Sequence, residues 1–200
     1  MTRGTDGPGP RGQSLVEFAL VLPMLLVLLL GIADFGRVFA AGITIEAAAR
    51  NGAEAAAQEY LQLRRSGTPA TAADFDRIHA VALESVCGEA ELLPNHSRFG
   101  GTCSMPVSAV CIHDIPAELV NYGSRCGEAA GGAPAACTRI HEPWPTTQPL
   151  PDQLPWVEVR ACYRFTTLFA LEEIRFPFGW SLSVGEVWLQ KERSFTVADY

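Results

Sequence analysis

The feature that most constrains this chain is a run of sixteen residues without a charge, Phe18 to Ala33, reading FALVLPMLLVLLLGIA. At 1.5 Å per residue it covers about 24 Å as a helix, slightly less than a hydrocarbon core of about 30 Å. Leu15 and Val16 extend it when Glu17 is paired, neutral or near the headgroups. The run therefore predicts a spanning helix with little spare length for tilt.

The charge distribution agrees with an anchored protein. Residues 1–65 carry six basic against six acidic side chains, so the net charge of −7 comes entirely from residues 66–200, with nine against sixteen. An acidic chain with 48% hydrophobic residues is neither a disordered tail nor a protein held to nucleic acid by phosphate contacts. Arg3, Arg11 and the terminal amine stand before the run against Asp6, and Asp34 and Arg37 follow it. That balance favours a cytoplasmic N-terminus. Six cysteines, all after the run, favour an oxidising far side for the remainder. The expectation is a membrane crossed once, with the C-terminal domain extracytoplasmic.

Three fates are open to the segment. It can stay as a signal anchor. It can be removed as a secretory signal, with Val38, Phe39 and Ala40 before a cut at Ala41. It can be trimmed after Gly12, which makes Gln13 a new N-terminal amine and Glu17 the fifth residue of the product. A carboxylate beside an apolar span costs about 2.5–3.5 kcal/mol at mid-bilayer, less near the interface, and so marks a functional candidate. Paired with an amine on the same or a staggered neighbouring helix, both charges are neutralised; otherwise Glu17 reaches for the headgroups.

The string Arg11-Gly12-Gln13-Ser14-Leu15-Val16-Glu17-Phe18-Ala19-Leu20-Val21-Leu22-Pro23, followed by Gly31, Asp34, Phe35 and Gly36, resembles the N-terminal segment of the TadE-like family. These are pilin-like proteins of the tight-adherence (Flp) pilus assembly system of bacteria. The likeness is dense over about residues 11–57. It implies that Gly12 ends a leader, residues 1–12, cut before Gln13 by a prepilin-type peptidase, and that Glu17 aligns subunits during assembly. The partners it implies are other pilin-like subunits, the assembly machinery and membrane lipid.

Helix formers continue past Asp34 to Arg65 without a proline, so the membrane helix, 13–36, is expected to continue as a projecting part, 37–65. A helix over about 14–65 is roughly 75 Å long. Ala48, Gly52 and Ala56 recur every four residues, with Gly36 and Ala40 beginning a similar row. Such rows let a helix or a sheet approach closely, or simply belong to an alanine-rich helix. Gly67, Thr68 and Pro69 end the element.

Residues 66–200 are expected to form a soluble α+β domain. Thr71 and Asp74 make a capping box for a helix over 72–86, whose apolar face is Phe75, Ile78, Ala82 and Val86. Residues 88–155 are rich in Gly, Pro and Cys, with a short strand at Met105–Ile112 and a helical turn at Pro116–Tyr122. They read as a loop-rich insertion stapled by disulfides. Val157, Val159, Ala161, Tyr163 and Phe165 alternate with Glu158, Arg160, Cys162 and Arg164, a period of two that predicts a strand. A connection over Thr166–Gly179 then leads to one or two strands in Trp180–Val197, bulged near Gly185. The alanine-rich half of the first helix is the obvious cover for this small antiparallel sheet.

Cys87, Cys103, Cys111, Cys126, Cys137 and Cys162 allow up to three disulfides in fifteen connectivities, with 126–137 the attractive local pair. Cys111 with His113, and Cys137 with His141, do not match common zinc spacings, and neither a metal nor a cofactor is expected. His79 reads as a packed histidine. No nucleophile elbow, phosphate loop or metalloprotease motif is present, and the adjacent Glu172 and Glu173 read as a solvated turn, so no catalytic residue is assigned. Phe176-Pro177-Phe178-Gly179-Trp180 is apolar for a loop, suiting either a contact surface or a cover over the core. The reading is a minor pilin-like (pseudopilin) assembly protein acting through helix packing. The alternative is an envelope binding module whose helix is only a tether.

Overall fold

Straight-chain and alanine residues keep the N-terminal segment helical far beyond its apolar run. In the computed structural model, which describes residues 13–65, 71–99, 102–114, 125–128, 133–144, 154–175 and 181–197, helix α1 covers Gln13–Arg65 with Pro23 inside it. The expected leader, the helical turn at 116–122 and the aromatic stretch 176–180 lie outside the described residues. Two compact units divide at Phe39 and Ala40, three residues beyond the expected end of the membrane helix. In the first unit, residues 13–39 are one helical stretch that meets the length and apolarity needed to cross a membrane.

The second unit, residues 40–200, is an α+β domain. Its elements after α1 are α2 (Ala72–Glu89), β1 (Ser97–Phe99), β2 (Thr102–Met105), β3 (Val107–His113), β4 (Cys126–Glu128), α3 (Thr138–His141), β5 (Trp156–Arg175) and β6 (Ser181–Thr196). β1 and β2 form a small hairpin; the other four strands form one antiparallel sheet in the order β4-β3-β5-β6. The capping box forms as expected: the Thr71 backbone N–H donates to Asp74 Oδ2 at 2.6 Å, and Asp74 N–H to Thr71 Oγ1 at 3.4 Å. The bond from the Thr71 backbone first, and the Thr71 hydroxyl donating to Asp74 Oδ2 at 2.9 Å second, hold the Asp74 carboxyl below its ordinary range.

The register divides the sheet into two faces. Ser108, Val110, Ile112, Val157, Val159, Ala161, Tyr163 and Phe165 share one face, all of them buried. It packs under Ile45, Ala48, Ala49, Ala53 and Ala56 of α1 and Phe75, Ile78, Ala82 and Val86 of α2, likewise buried. Gly52 is where these layers converge. A Cβ there would lie 2.5 Å from Val86 Cγ2, 3.2 Å from the Ala82 carbonyl and 3.6 Å from Val159 Cγ1. Only the absent side chain lets α1 approach both α2 and β5.

The opposite face carries a second apolar cluster of Val107, Ala109, Cys137, Ile140 and Cys162, with Met105, Ala133, Trp144 and Trp188 against it. This cluster shows what the stretch 88–155, expected to be loop-rich with a short strand at 105–112, contributes to the fold. Residues from 88–155 supply β3, an inner strand whose seven residues are all buried, and α3, which covers the second face. β4 also lies in a stretch read as loop.

The expected pair 126–137 is overturned. The disulfides are Cys87–Cys103, Cys111–Cys126 and Cys137–Cys162, and no described cysteine is free. Cys111 and Cys126 are register partners on adjacent strands, and Cys137, beside α3, sits over Cys162 of β5. The connection expected at 166–179 is also shorter, because β5 continues as strand to Arg175 and the pair Glu172 and Glu173 falls within it. β6 is a single strand, and the irregularity expected near Gly185 lies on the facing strand, where the register shifts between Thr166 and Leu171.

Candidate functional site

The surface that any function must explain is the one on residues 13–39. Leu15, Val16, Phe18, Leu20, Met24, Leu28, Ile32 and Phe35 are all exposed, Met24 to 79% and Phe35 to 73%. An exposed apolar surface of this extent is far larger than the few hundred Å² that a soluble monomer leaves in water. Lipid, other helices or both must cover it. Its charges lie at the two ends. Glu17 is exposed near the start, and Asp34 lies seventeen residues on, about 26 Å along the axis. Arg37 Nη1 donates to Asp34 Oδ1 at 3.0 Å, which pairs both charges at the far end of the run.

The small residues expected to pack helices separate into two groups. Gly36 and Ala40 are exposed, and a Cβ on Gly36, or on Gly31, meets nothing within 4 Å. They remain open to an external helix. Ala48, Gly52 and Ala56 are buried in the domain's own core, against α2 and β5, and present nothing to a second subunit. Gly12 lies outside the described residues, and of Gln13 the backbone begins α1.

Elsewhere many of the described charged groups pair with one another. On the second sheet face an open cavity of about 590 Å³ is lined by Trp156, Glu158, Arg160, Arg139, Glu142 and Glu192, among others. Arg160 is almost fully buried there. Its Nε donates to Glu158 Oε1 at 2.9 Å, its Nη1 to the Arg139 and Glu142 carbonyls at 3.0 and 2.6 Å, and its guanidinium lies 3.9 Å over the Trp144 ring. Burial acts to raise the Glu158 pKa, but hydrogen bonds from His113 and Arg160 outweigh it and hold the carboxyl below its ordinary range. His113 stacks on Trp156 with ring centroids 4.7 Å apart. The arrangement clamps the 139–144 segment onto the sheet, a structural task that uses the groups a ligand would need.

A similar role falls to the expected packed histidine. His79 Nε2 lies 3.1 Å from the Arg125 carbonyl, its ring meets the backbone at Gly127, and burial lowers its pKa. Near the end of α1, Arg64 pairs with Asp114 at 3.2 Å, and burial beside that carboxylate pushes the Tyr60 phenol up. Earlier on α1, Glu46 pairs with Arg193 and Lys191 of β6, which hold its carboxyl low. Sequence reasoning passed over Trp144, Arg160 and Glu46 because their partners lie far along the chain; the only local sign was an arginine at a strand position.

Residues 12–54, which hold the apolar run, Glu17, Asp34 and the start of the buried small-residue row, match the family model described as TadE-like protein. No curated protein and no solved structure matches the chain. Over the segment that carries its uncovered apolar surface, the chain is similar to the TadE-like family.

Proposed function

We propose that this chain is a minor pilin-like (pseudopilin) component of tight-adherence (Flp) pilus assembly, acting through helix packing and without catalytic turnover. The observation that carries the reading is the uncovered apolar surface of residues 13–39 within a TadE-like segment, with Glu17 near its start. In this reading the helix crosses the inner membrane with its N-terminus cytoplasmic, and the disulfide-bonded domain stands on the far side. A prepilin-type peptidase cuts after Gly12. The new amine of Gln13 and the Glu17 carboxylate then pair, within the helix or with a neighbouring subunit, which removes two charges from apolar surroundings. Gly31, Gly36 and Ala40, open on the helix surface, let a second pilin-like helix approach.

The test is the N-terminus of the protein recovered from native envelopes, together with pilus assembly by Glu17→Ala and Glu17→Lys. The reading expects a chain beginning at Gln13 and loss of assembly in both variants while the domain still folds. A chain beginning at Met1 or Thr2, with normal assembly by both variants, contradicts it. One beginning at Ala41 means that the apolar segment is lost and the reading fails.

A further inference from the structure

One histidine contact has no part in the assembly role. His96 Nε2 lies 3.4 Å from Cys87 Sγ and 3.6 Å from Cys103 Sγ, and the three donor atoms fall within 4.8 Å of one another. A zinc ion bound tetrahedrally, with Zn–S near 2.3 Å and Zn–N near 2.0–2.1 Å, requires an S to N separation of about 3.5 Å. The imidazole therefore already stands at the ligand spacing from both sulfurs. The backbone that carries it is fixed from two sides. The His96 N–H donates to the Leu93 carbonyl at 3.0 Å. The preceding Asn95 is fixed to β5, its backbone N–H donating to Tyr163 Oη at 3.1 Å and its Nδ2 to the Arg164 carbonyl at 2.8 Å and Thr166 Oγ1 at 3.0 Å. Cys87 is buried in the last turn of α2, whereas His96 and Cys103 are half-exposed, which leaves an approach from solvent.

We propose that Cys87, His96 and Cys103 form a redox-gated binding site for a thiophilic divalent cation of the zinc class, closed by the disulfide and opened by its reduction. A dithiol reductant transfers two electrons and two protons to the S–S bond; the thiols of Cys87 and Cys103 form and the reductant becomes a disulfide. Zn²⁺ then displaces the two thiol protons to solvent and takes two thiolates, the His96 Nε2 lone pair and a water. The metal replaces the covalent link, so the end of α2 stays joined to β2 in both states. Segment 93–96, pinned to β5, supplies a ligand that does not depend on the disulfide.

The experiment is a Co²⁺ titration, followed by Zn²⁺, of the full chain in detergent micelles, after phosphine reduction and removal of the phosphine. Reduced wild-type protein is expected to bind one equivalent of tetrahedral cobalt with thiolate-to-metal charge-transfer absorption that Zn²⁺ abolishes, and the oxidised protein none. His96→Ala, which keeps the disulfide and whose fold is checked before reduction, should bind at least about tenfold more weakly. Cys87→Ser with Cys103→Ser should abolish the band. Absence of the band in reduced wild type, equal affinity in His96→Ala, or a band that survives loss of both cysteines overturns the proposal. Unfolding on reduction would appear as equal binding by wild type and His96→Ala, and also overturns it.

Discussion

Residues 13–39 and 40–65 of α1 share one secondary structure, yet they solve opposite problems. The earlier stretch is apolar on every side and leaves nearly all of that surface uncovered. The later stretch buries a stripe of Ile45, Ala48, Ala49, Gly52, Ala53, Ala56, Ala57 and Tyr60 within its own domain and leaves Arg50, Gln58 and Arg64 towards solvent. Small residues occur in both. In the later stretch they let α2 and β5 close on the helix; in the earlier one Gly31 and Gly36 meet nothing. A four-residue small-residue spacing thus signals close approach without saying whether the approaching partner belongs to the same chain.

The sharpest way to break this contrast is to add the same side chain to each stretch. Gly52→Leu forces atoms into Val86 and the Ala82 carbonyl, and should destabilise the domain by about 3 kcal/mol or more. Gly36→Leu should leave the melting temperature of the domain unchanged and, on the proposed role, impair assembly. Thermal melts of both full-length variants in detergent, beside a pilus assembly assay, read the two effects separately. Equal melting of the two variants would show that the contrast is false.

Close behind is the Cys137–Cys162 link, which ties α3 to β5 across 25 residues of sequence. Removing both cysteines as alanine should cost roughly 3 kcal/mol through the freed unfolded chain. Denaturant melts check this, and a loss well under 1 kcal/mol would mean that α3 holds to the sheet without it.

Smaller effects come from titration and lie only in the domain. The Glu158 carboxyl is lowered in the folded state from its ordinary value near 4.5, so its stabilisation is present above that pH and is lost as pH falls through the lowered value. Glu158→Gln should flatten the loss of stability below about pH 4.5, read as melting temperature against pH. The smallest effect belongs to His79. Burial lowers its pKa from 6.5, so below that pH the unfolded chain takes up a proton first and stability declines. His79→Gln should remove that shallow decline below pH 6.5, and an unchanged slope would assign it to another group.

What the sequence made legible follows the range of the forces involved. α1, the capped α2 with its face of Phe75, Ile78, Ala82 and Val86, and the alternating start of β5 rest on local propensity and periodicity, and each forms where it was expected. The role of 88–155 rests on pairing across the sheet. β3 is a short apolar run whose inner position depends on a partner about 50 residues away, so its sequence reads the same as a strand at an edge. The disulfide map failed for the same reason: proximity in sequence favoured Cys126 with Cys137, but register set Cys126 opposite Cys111. In the candidate site, the apolar run was legible because its length and apolarity are read one residue at a time, without any partner. The anchoring of Arg160 and the setting of His96 between two sulfurs were not, because they arise only when β5 and the β1–β2 hairpin are in place.

The central claim is that residues 13–39 act by specific packing and are more than a tether. Replacing residues 14–37 by an unrelated leucine-rich span of equal length, in the native host, tests it most directly. The account predicts that the variant is membrane-bound, that its domain melts as wild type does, and that pilus assembly is lost. Assembly at the wild-type level would contradict the account and would mark the helix as a tether for an envelope binding module.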